Sequence, residues 1–544
     1  MFDLAPLTES LLAPLLTVLY TAGFAVVGVF SLRAALHVAL WARTRRRAPA
    51  AVRSYAAWLR PDAPATLAAG QASGDPAFAG PVPFVTVQLP VYNERQVAAR
   101  LVDAACGLAW PRDRFEVQVV DDSTDDTRAI LDEAARRWQA RGVAVQVVRR
   151  ASRQGYKGGA LAEALPLARG EALAVFDADF RPPADWLANV MAHLGDGVAA
   201  VQTRWGHLNR DQSLLTRVQG LSLDGYFAIE QAARSRAGLA LHFNGSAGVW
   251  NRAAIDAAGG WSGATLCEDV DLSYRAQLAG WRIVLLPELA APAELPATVL
   301  AFKRQQHRWA KGTVQCWRQL RGPIARAPWP RAKRLHALAS LSTYFVQPTL
   351  VVLFLGAPLL AVARPRFHPL LFAFSALALT MPVLVALGQL SLHHLGRAAG
   401  APRGEPGWWR RLLWYPALSI VAAGMTLNGA LAVVEALSGT PGAFERTPKA
   451  GEGAPTGGGD GVATAEPGPT PYRLPLDGQS LAEALLAAYA WFGLALAVDH
   501  DAWGVVAFMA PFALGYTYIA GWSLAEGLPV LRRQRRRGWG RAVS

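Results

Sequence analysis

Cysteine is scarce in this chain. Cys106, Cys267 and Cys316 are the whole supply in 544 residues, too few and too scattered for a disulfide framework or a zinc site. The catalytic part is therefore expected to work in a reducing compartment. Charge is scarce too. It makes up 17% of residues, against 52% hydrophobic ones, a balance that places part of the chain in lipid. Acid falls short of base: 40 Asp and Glu face 54 Lys and Arg, a net charge of +14. That excess does not point to a nucleic-acid partner, because it sits in short clusters beside apolar runs. Arg43, Arg45, Arg46 and Arg47 follow the first run, and Arg532, Arg533, Arg535, Arg536 and Arg537 follow the last. This is the positive-inside pattern of a membrane protein. A phosphate-binding P-loop is also lacking, since Lys157 in Gly155-Tyr156-Lys157-Gly158-Gly159 has no Walker spacing around it.

The length calls for at least two domains. Leu11 to Leu40 is apolar and long enough to span a bilayer. It lacks a small-residue cleavage site, so residues 1–48 read as an N-terminal transmembrane helix and not a signal peptide. Residues 49–80, rich in Ala, Pro and Gly, read as a linker. Residues 81–300 alternate short apolar strands with helical patterns: Phe115 to Val120 and Ala172 to Phe176 as strands, Gln96 to Leu108, Thr127 to Ala140 and Gly159 to Ala168 as helices. That alternation predicts an α/β domain with a doubly wound, mostly parallel sheet. Interfacial helices are expected over 301–336, and transmembrane and interfacial helices over 337–438. Residues 439–478 include a Gly, Pro and Thr tract expected to be disordered. Two more transmembrane helices fall in 479–525, and 526–544 is a basic cytoplasmic tail. Parity selects a topology. If all the late apolar stretches crossed, the Arg-rich tail would end outside. The run 412–437, which follows Trp408, Trp409, Arg410 and Arg411, is expected to lie in the interface. Five crossings then leave the N-terminus outside, the C-terminus inside and the α/β domain in the cytoplasm.

Three groups of residues carry candidate chemistry. Asp121 and Asp122 end one apolar strand, and Asp177 and Asp179 end another. Carboxylates at the carboxyl ends of parallel strands line the crevice where such sheets bind ligands. The Asp-x-Asp spacing of Asp177 and Asp179 suits Mg²⁺ or Mn²⁺ bridging a diphosphate, although paired aspartates also serve as turn or cap residues. Glu268 and Asp269 open a helical pattern. They either cap it or supply a general base toward an incoming hydroxyl. Gln305-Gln306-His307-Arg308-Trp309 precedes the membrane region. Trp309 there is either an interfacial anchor or a platform for a sugar ring, and Arg308 either a surface charge or a fork for a diphosphate. Lys157 either touches phosphate or is solvated.

Taken in order, Asp-Asp-Ser, Asp-Ala-Asp, Glu-Asp and Gln-x-x-Arg-Trp, followed by apolar helices, resemble the processive family-2 glycosyltransferases of the cellulose synthase superfamily. The similarity is greatest to the cellulose synthase-like mannan and glucan synthases. It spans roughly residues 80–320 and includes Phe243-Asn244-Gly245-Ser246-Ala247-Gly248-Val249-Trp250. The resemblance implies a GT-A domain inserted in an α-helical transmembrane domain. It further implies inverting transfer from a UDP- or GDP-hexose to a growing β-linked glucan, mannan or glucomannan, which is then moved across the inner (plasma) membrane. A membrane enzyme making a glycolipid without processivity is the alternative. By the same resemblance Asp121, Asp122 and Lys157 hold the nucleotide, Asp177 and Asp179 the diphosphate and metal. Asp269, beside Glu268, is the base, Arg308 contacts the diphosphate, and Trp309 with Gln305, Phe243 and Asn244 meets the acceptor. Phe444-Glu445-Arg446-Thr447-Pro448-Lys449 is similar to a gating loop that closes over nucleotide through Thr447 and Lys449. Two departures stand out. Cys267 replaces a threonine, and the tail after residue 525 is too short for a cyclic-dinucleotide-binding domain.

Overall fold

The computed structural model describes residues 11–47, 82–367, 377, 379–398, 407–442 and 476–542. The expected linker 49–80, together with Thr447, Lys449 and most of the 439–478 segment, lies outside the described residues.

Helix α1 (Ala13–Thr44) comes first. The α/β domain then runs β1 (Val85–Val91), α2 (Ala98–Cys106), β2 (Phe115–Asp121), α3 (Thr127–Gln139), β3 (Val145–Val148), α4 (Tyr156–Ala164), β4 (Ala172–Val175), α5 (Trp186–Met191) and β5 (Val198–His207). It continues through α6 (Leu214–Gly225), a π-helical turn over Tyr226–Gln231, α7 (Ala232–Arg236), β6 (Gly248–Asn251), α8 (Arg252–Ala257), α9 (Glu268–Leu278) and β7 (Arg282–Ala293). The seven strands form one sheet in the order β3-β2-β1-β4-β6-β5-β7. Its pairs are parallel except those of β6, which runs antiparallel to both β4 and β5. This is the mixed, GT-A-like sheet. Strands β3, β5, β6 and β7 were not named from apolar patterning; the four-residue β6, which glycine opens, has no long apolar run to mark it.

Both faces of the sheet are covered, so β4 is apolar throughout and the polar residues that alternate along β1 and β2, Thr86, Gln88, Glu116 and Gln118, are buried too. One face packs Leu101, Leu131 and Trp186 against Val117 and Phe176. The other packs Leu161, Phe227, Phe243, Trp250 and Leu272 against Leu173 and Val175, and takes in Ala34 and Trp41 of α1. The first apolar helix is therefore docked on the core of the α/β domain.

Beyond the sheet lie α10 (Val299–Arg326), α11 (Arg331–Leu341), α12 (Val346–Ala363), α13 (Thr380–Ala398), α14 (Trp408–Leu412), α15 (Tyr415–Gly424), α16 (Thr426–Ser438), α17 (Gln479–Asp499) and α18 (Trp503–Ala542). Among the described residues, four helices are long and apolar enough to cross a membrane: Ala13–Thr44, Thr343–Ala363, Gln479–Asp499 and Trp503–Leu528. Large apolar side chains on their outer faces, such as Val18, Val29, Leu355, Leu485, Phe492 and Leu514, are exposed. The pair Trp408–Gly424 and Thr426–Ser438, bent by 43°, passes the same test together, which makes five. Thr426, Asn428, Ala432 and Val433 of α16 are buried, so this half of the 412–437 run sits within protein. Helix α13 packs on α1 and α6.

Candidate active site

The carboxyl ends of β1, β2, β4, β5 and β7 open onto one cleft of about 1230 Å³, open to solvent. This is where an α/β sheet presents loops free of the core. Asp122, Lys157, Asp177, Asp179, Asn244, Glu268, Asp269, Gln305, Arg308 and Trp309 all line it. Residues up to 187 positions apart, Asp122 and Trp309, thus converge.

Two of the expected residues stand elsewhere. Asp121 is buried on β2. Its Oδ1 accepts from Ser123 N at 2.9 Å and its Oδ2 from Arg149 Nε at 2.7 Å, so it braces the strand end. Phe243 is fully buried in the core against Trp250. Strand and loop alternation explains both: each side chain points away from the neighbour that reaches the cleft, Asp122 or Asn244.

The nucleotide end is built from charge pairs. Arg150 grips Asp122 in a two-pronged contact, Nε to Oδ1 and Nη2 to Oδ2, both at 2.7 Å. Each carboxylate oxygen keeps a further lone pair for a ligand. The guanidinium of Arg153 stacks on the Tyr92 ring with Cζ 3.4 Å from its centroid, and both residues line the cleft beside Asp122. Tyr92, Arg150 and Arg153 escaped sequence reasoning because lone aromatics and arginines carry no spacing signal.

Lys157 is the hub. Its Nζ donates to Asp177 Oδ1 at 2.6 Å and to Gly245 O at 2.7 Å, and lies 3.6 Å from Glu268 Oε1. Burial works against its charge, but Asp177 and Glu268 hold its pKa above the ordinary value. Gly245 has φ of +82°, and a Cβ there would meet Asp269 Oδ2 at 2.9 Å, so only glycine brings this carbonyl so close to the carboxylate. Asn93, Tyr156 and Ala247, non-glycine residues with positive φ, sit in the loops around the cleft, where such strain collects at functional sites.

Asp269 stands at the start of α9, with its Oδ1 accepting from Val270 N at 2.9 Å. Burial, and then the neighbouring Glu268 charge, push it up to about 7 against the pull of Lys157. A carboxylate with that pKa is poised to take a proton near neutral pH. Its loop is held by α10: Leu266 N donates to Gln315 Oε1 at 3.0 Å. A Cβ on Gly312 would lie 2.4 Å from Cys267 Sγ, so glycine lets α10 lie directly against the base-bearing loop.

Asp177 and Asp179 offer oxygen ligands alone. Among the described residues no group of three or more His, Cys, Asp or Glu could hold a metal. Two carboxylates at one strand end do not make a self-sufficient cage. They do fit Mg²⁺ or Mn²⁺, which keep their remaining positions for water and phosphate oxygens.

A second cavity, about 1920 Å³ with the space open to solvent included, continues from the cleft into the helices. It shares Trp205, Asn244, Asp269, Gln305 and Trp309 with the cleft and extends to Arg33, Tyr226, His242, Gln347, Val421 and Met425. Trp205, whose ring centroid is 6.2 Å from that of Trp309, was not foreseen from sequence.

Residues 81–312, which carry the sheet and the residues lining the cleft, match the family model described as "Glycosyltransferase like family 2". The chain is 42% identical over 268 residues to the probable glucomannan 4-beta-mannosyltransferase 9 of Oryza sativa subsp. japonica, covering 48% of this chain and 51% of the relative. It is 43% identical over 250 residues to the glucomannan 4-beta-mannosyltransferase 2 of Arabidopsis thaliana, covering 45% and 47%. The chain thus spans about half the length of the curated relatives it matches. Among solved structures, a mannosyltransferase from Pyrobaculum calidifontis in complex with GDP-Man and Mn²⁺ aligns with TM-score 0.48 and 21% identity, over 78% of this chain and 100% of that one.

Proposed function

We propose that the chain is a membrane-embedded, inverting hexosyltransferase that extends a β-linked mannan or glucomannan from a nucleoside-diphosphate hexose, its α/β domain on the cytoplasmic side of the cell membrane. The observation that carries this reading is the junction of two cavities at Asp269 and Trp309. One is a charged cleft suited to a nucleotide sugar, and the other a chamber leading among apolar helices. The relatives' names, glucomannan 4-beta-mannosyltransferases, favour a mannosyl donor and an acceptor 4-hydroxyl.

In this reading Asp122 holds the nucleoside, and Lys157 and Arg308 face the diphosphate. Asp177 and Asp179 hold the divalent cation, which when bound neutralises the leaving diphosphate. The acceptor ring stacks on Trp309 with Gln305 and Asn244 beside it. Asp269 takes the proton of the acceptor hydroxyl as its oxygen attacks the anomeric carbon. The bond from that carbon to the phosphate oxygen breaks, its electron pair leaves with the nucleoside diphosphate, and configuration inverts. The lengthened chain then moves one unit into the chamber, which keeps its new end beside Asp269. Thr447 and Lys449 are assigned to closing over the nucleotide.

The test is a donor screen with the full chain in lipid. GDP-mannose, GDP-glucose, UDP-glucose and UDP-N-acetylglucosamine are compared by nucleotide release, and the product is digested with linkage-specific hydrolases. Polymer cleaved by a β-mannanase supports the reading. A short glycolipid as the sole product refutes it.

A further inference from the structure

Helix α10 carries two stripes. Gln305, Arg308, Trp309 and Gly312 face the cleft and the base-bearing loop. Lys303, His307 and Lys311 recur every fourth residue, so they share the other face. That second face meets acidic partners from the apolar bundle. Lys303, 1% exposed, donates to Glu483 Oε2 at 2.8 Å, Asp477 Oδ1 at 3.1 Å and Ser480 Oγ at 3.2 Å. Lys311 donates to Glu435 Oε2 at 2.7 Å, and His307 Nε2 lies 3.1 Å from the same oxygen. At the start of the helix Glu526 of α18 accepts from the backbone N–H groups of Val299 and Leu300, at 2.8 and 3.0 Å, which caps α10 with a carboxylate from another element.

We infer that Glu435, Glu483 and Glu526 are positioning residues for the transfer site: they fix the rotation and height of α10 and thereby aim Arg308 and Trp309 into the cleft. Apolar packing alone leaves a helix free to settle by small rotations. These charge pairs do not, because the Lys303 and Lys311 ammonium groups, 1% and 3% exposed, would stay buried and unpaired on leaving the buried Glu483 or the partly exposed Glu435. The bundle thus sets the register of the α/β domain's own ligands. Gln305, Arg308 and Trp309 lie between the Lys303 and Lys311 anchors, so a turn of the helix by one side-chain position would move Arg308 out of the cleft. This inference rests on the nucleotide-sugar reading, through Arg308.

The experiment measures binding of GDP, GMP, UDP and UMP with Mn²⁺ by calorimetry on the full chain in lipid nanodiscs, alongside the unfolding midpoint. Because Arg308 is aimed at the diphosphate, Glu435→Gln and Lys311→Met are expected to weaken binding of the preferred nucleoside diphosphate roughly tenfold, leaving the monophosphate within about twofold. The exchanged pair, Lys311→Glu with Glu435→Lys, restores the diphosphate affinity. Equal losses for mono- and diphosphate overturn the inference, as does an exchanged pair that regains the unfolding midpoint without regaining diphosphate affinity. A wild-type protein that binds none of the four nucleotides overturns the nucleotide-sugar reading itself and this inference with it. Wild-type binding with unaltered variants overturns the inference alone.

Discussion

The cleft and the chamber meet at Asp269, Asn244, Gln305 and Trp309 but differ in how their polar groups are satisfied. In the cleft, charges are paired: Arg150 with Asp122, Lys157 with Asp177 and Glu268. In the chamber, Arg33 and Arg234 pair with Glu230, but Arg33 Nε, His242 Nδ1, Asn244 Nδ2, Ser340 Oγ and Gln347 Oε1 are buried without a hydrogen-bond partner among the described residues. They stand among apolar side chains such as Leu418, Val421 and Met425. Burial, followed by the charge of Arg234, pushes His242 down to about 3, so its ring is neutral there. A charged donor held for one event suits the first arrangement. A neutral, hydroxyl-rich chain that must be held weakly and released suits the second, since unpaired polar atoms await hydroxyls and apolar walls let sugar faces slide.

The largest effect should come where the two meet. Asp269→Asn keeps the shape and removes the base, so turnover should fall roughly 10² to 10⁴-fold with nucleotide affinity nearly kept. A fall of less than about threefold in a transfer assay would remove Asp269 from the role. Next is the cleft alone. Asp179→Ala, or excess chelator on the parent protein, should abolish turnover by removing the cation that the diphosphate needs. Full turnover in chelator contradicts the metal assignment. The chamber should respond differently. Trp309→Ala should shorten the product far more than it weakens nucleotide binding, because stacking holds the acceptor and not the donor. Chromatography of labelled product against calorimetry of nucleotide separates the two.

A smaller effect is set by pH. Asp269 is raised to about 7 in the ligand-free protein, so the ionised, proton-accepting form fills only as pH rises through that value. Values of kcat/KM, which report the free enzyme, should therefore climb through pH 7 and level off above it. A flat profile between pH 5.5 and 8.5 (a window of roughly 1.5 units to either side) would place the ionisation elsewhere. Smallest of all, Gln347→Leu should leave single transfers intact and alter chain length alone.

Much of this arrangement is legible in the sequence. Strand ends were marked by apolar runs breaking at Asp122 and Asp177, and helix α9 by the acidic turn at Glu268 and Asp269. What patterning cannot show is direction and distance. Asp121 and Asp122 are adjacent, yet β-strand geometry sends one to Arg149 and the other to the cleft. Phe243 belongs to a motif that reaches the cleft, but its own ring completes the core. Arg150, Tyr92 and Trp205 matter through contacts between residues far apart in the chain. The every-fourth spacing of Lys303, His307 and Lys311 was visible, but its acidic partners come from helices more than 100 residues away.

The central claim is that the cleft makes the chain and the chamber receives it. The direct measurement uses sealed proteoliposomes with the α/β domain outward, labelled donor added outside, and hydrolase digestion before and after the membrane is opened. Labelled polymer should resist external hydrolase and be degraded once detergent admits the enzyme. Polymer that is fully digested without detergent, at undiminished length, would show that the product never enters the chamber and would contradict the account.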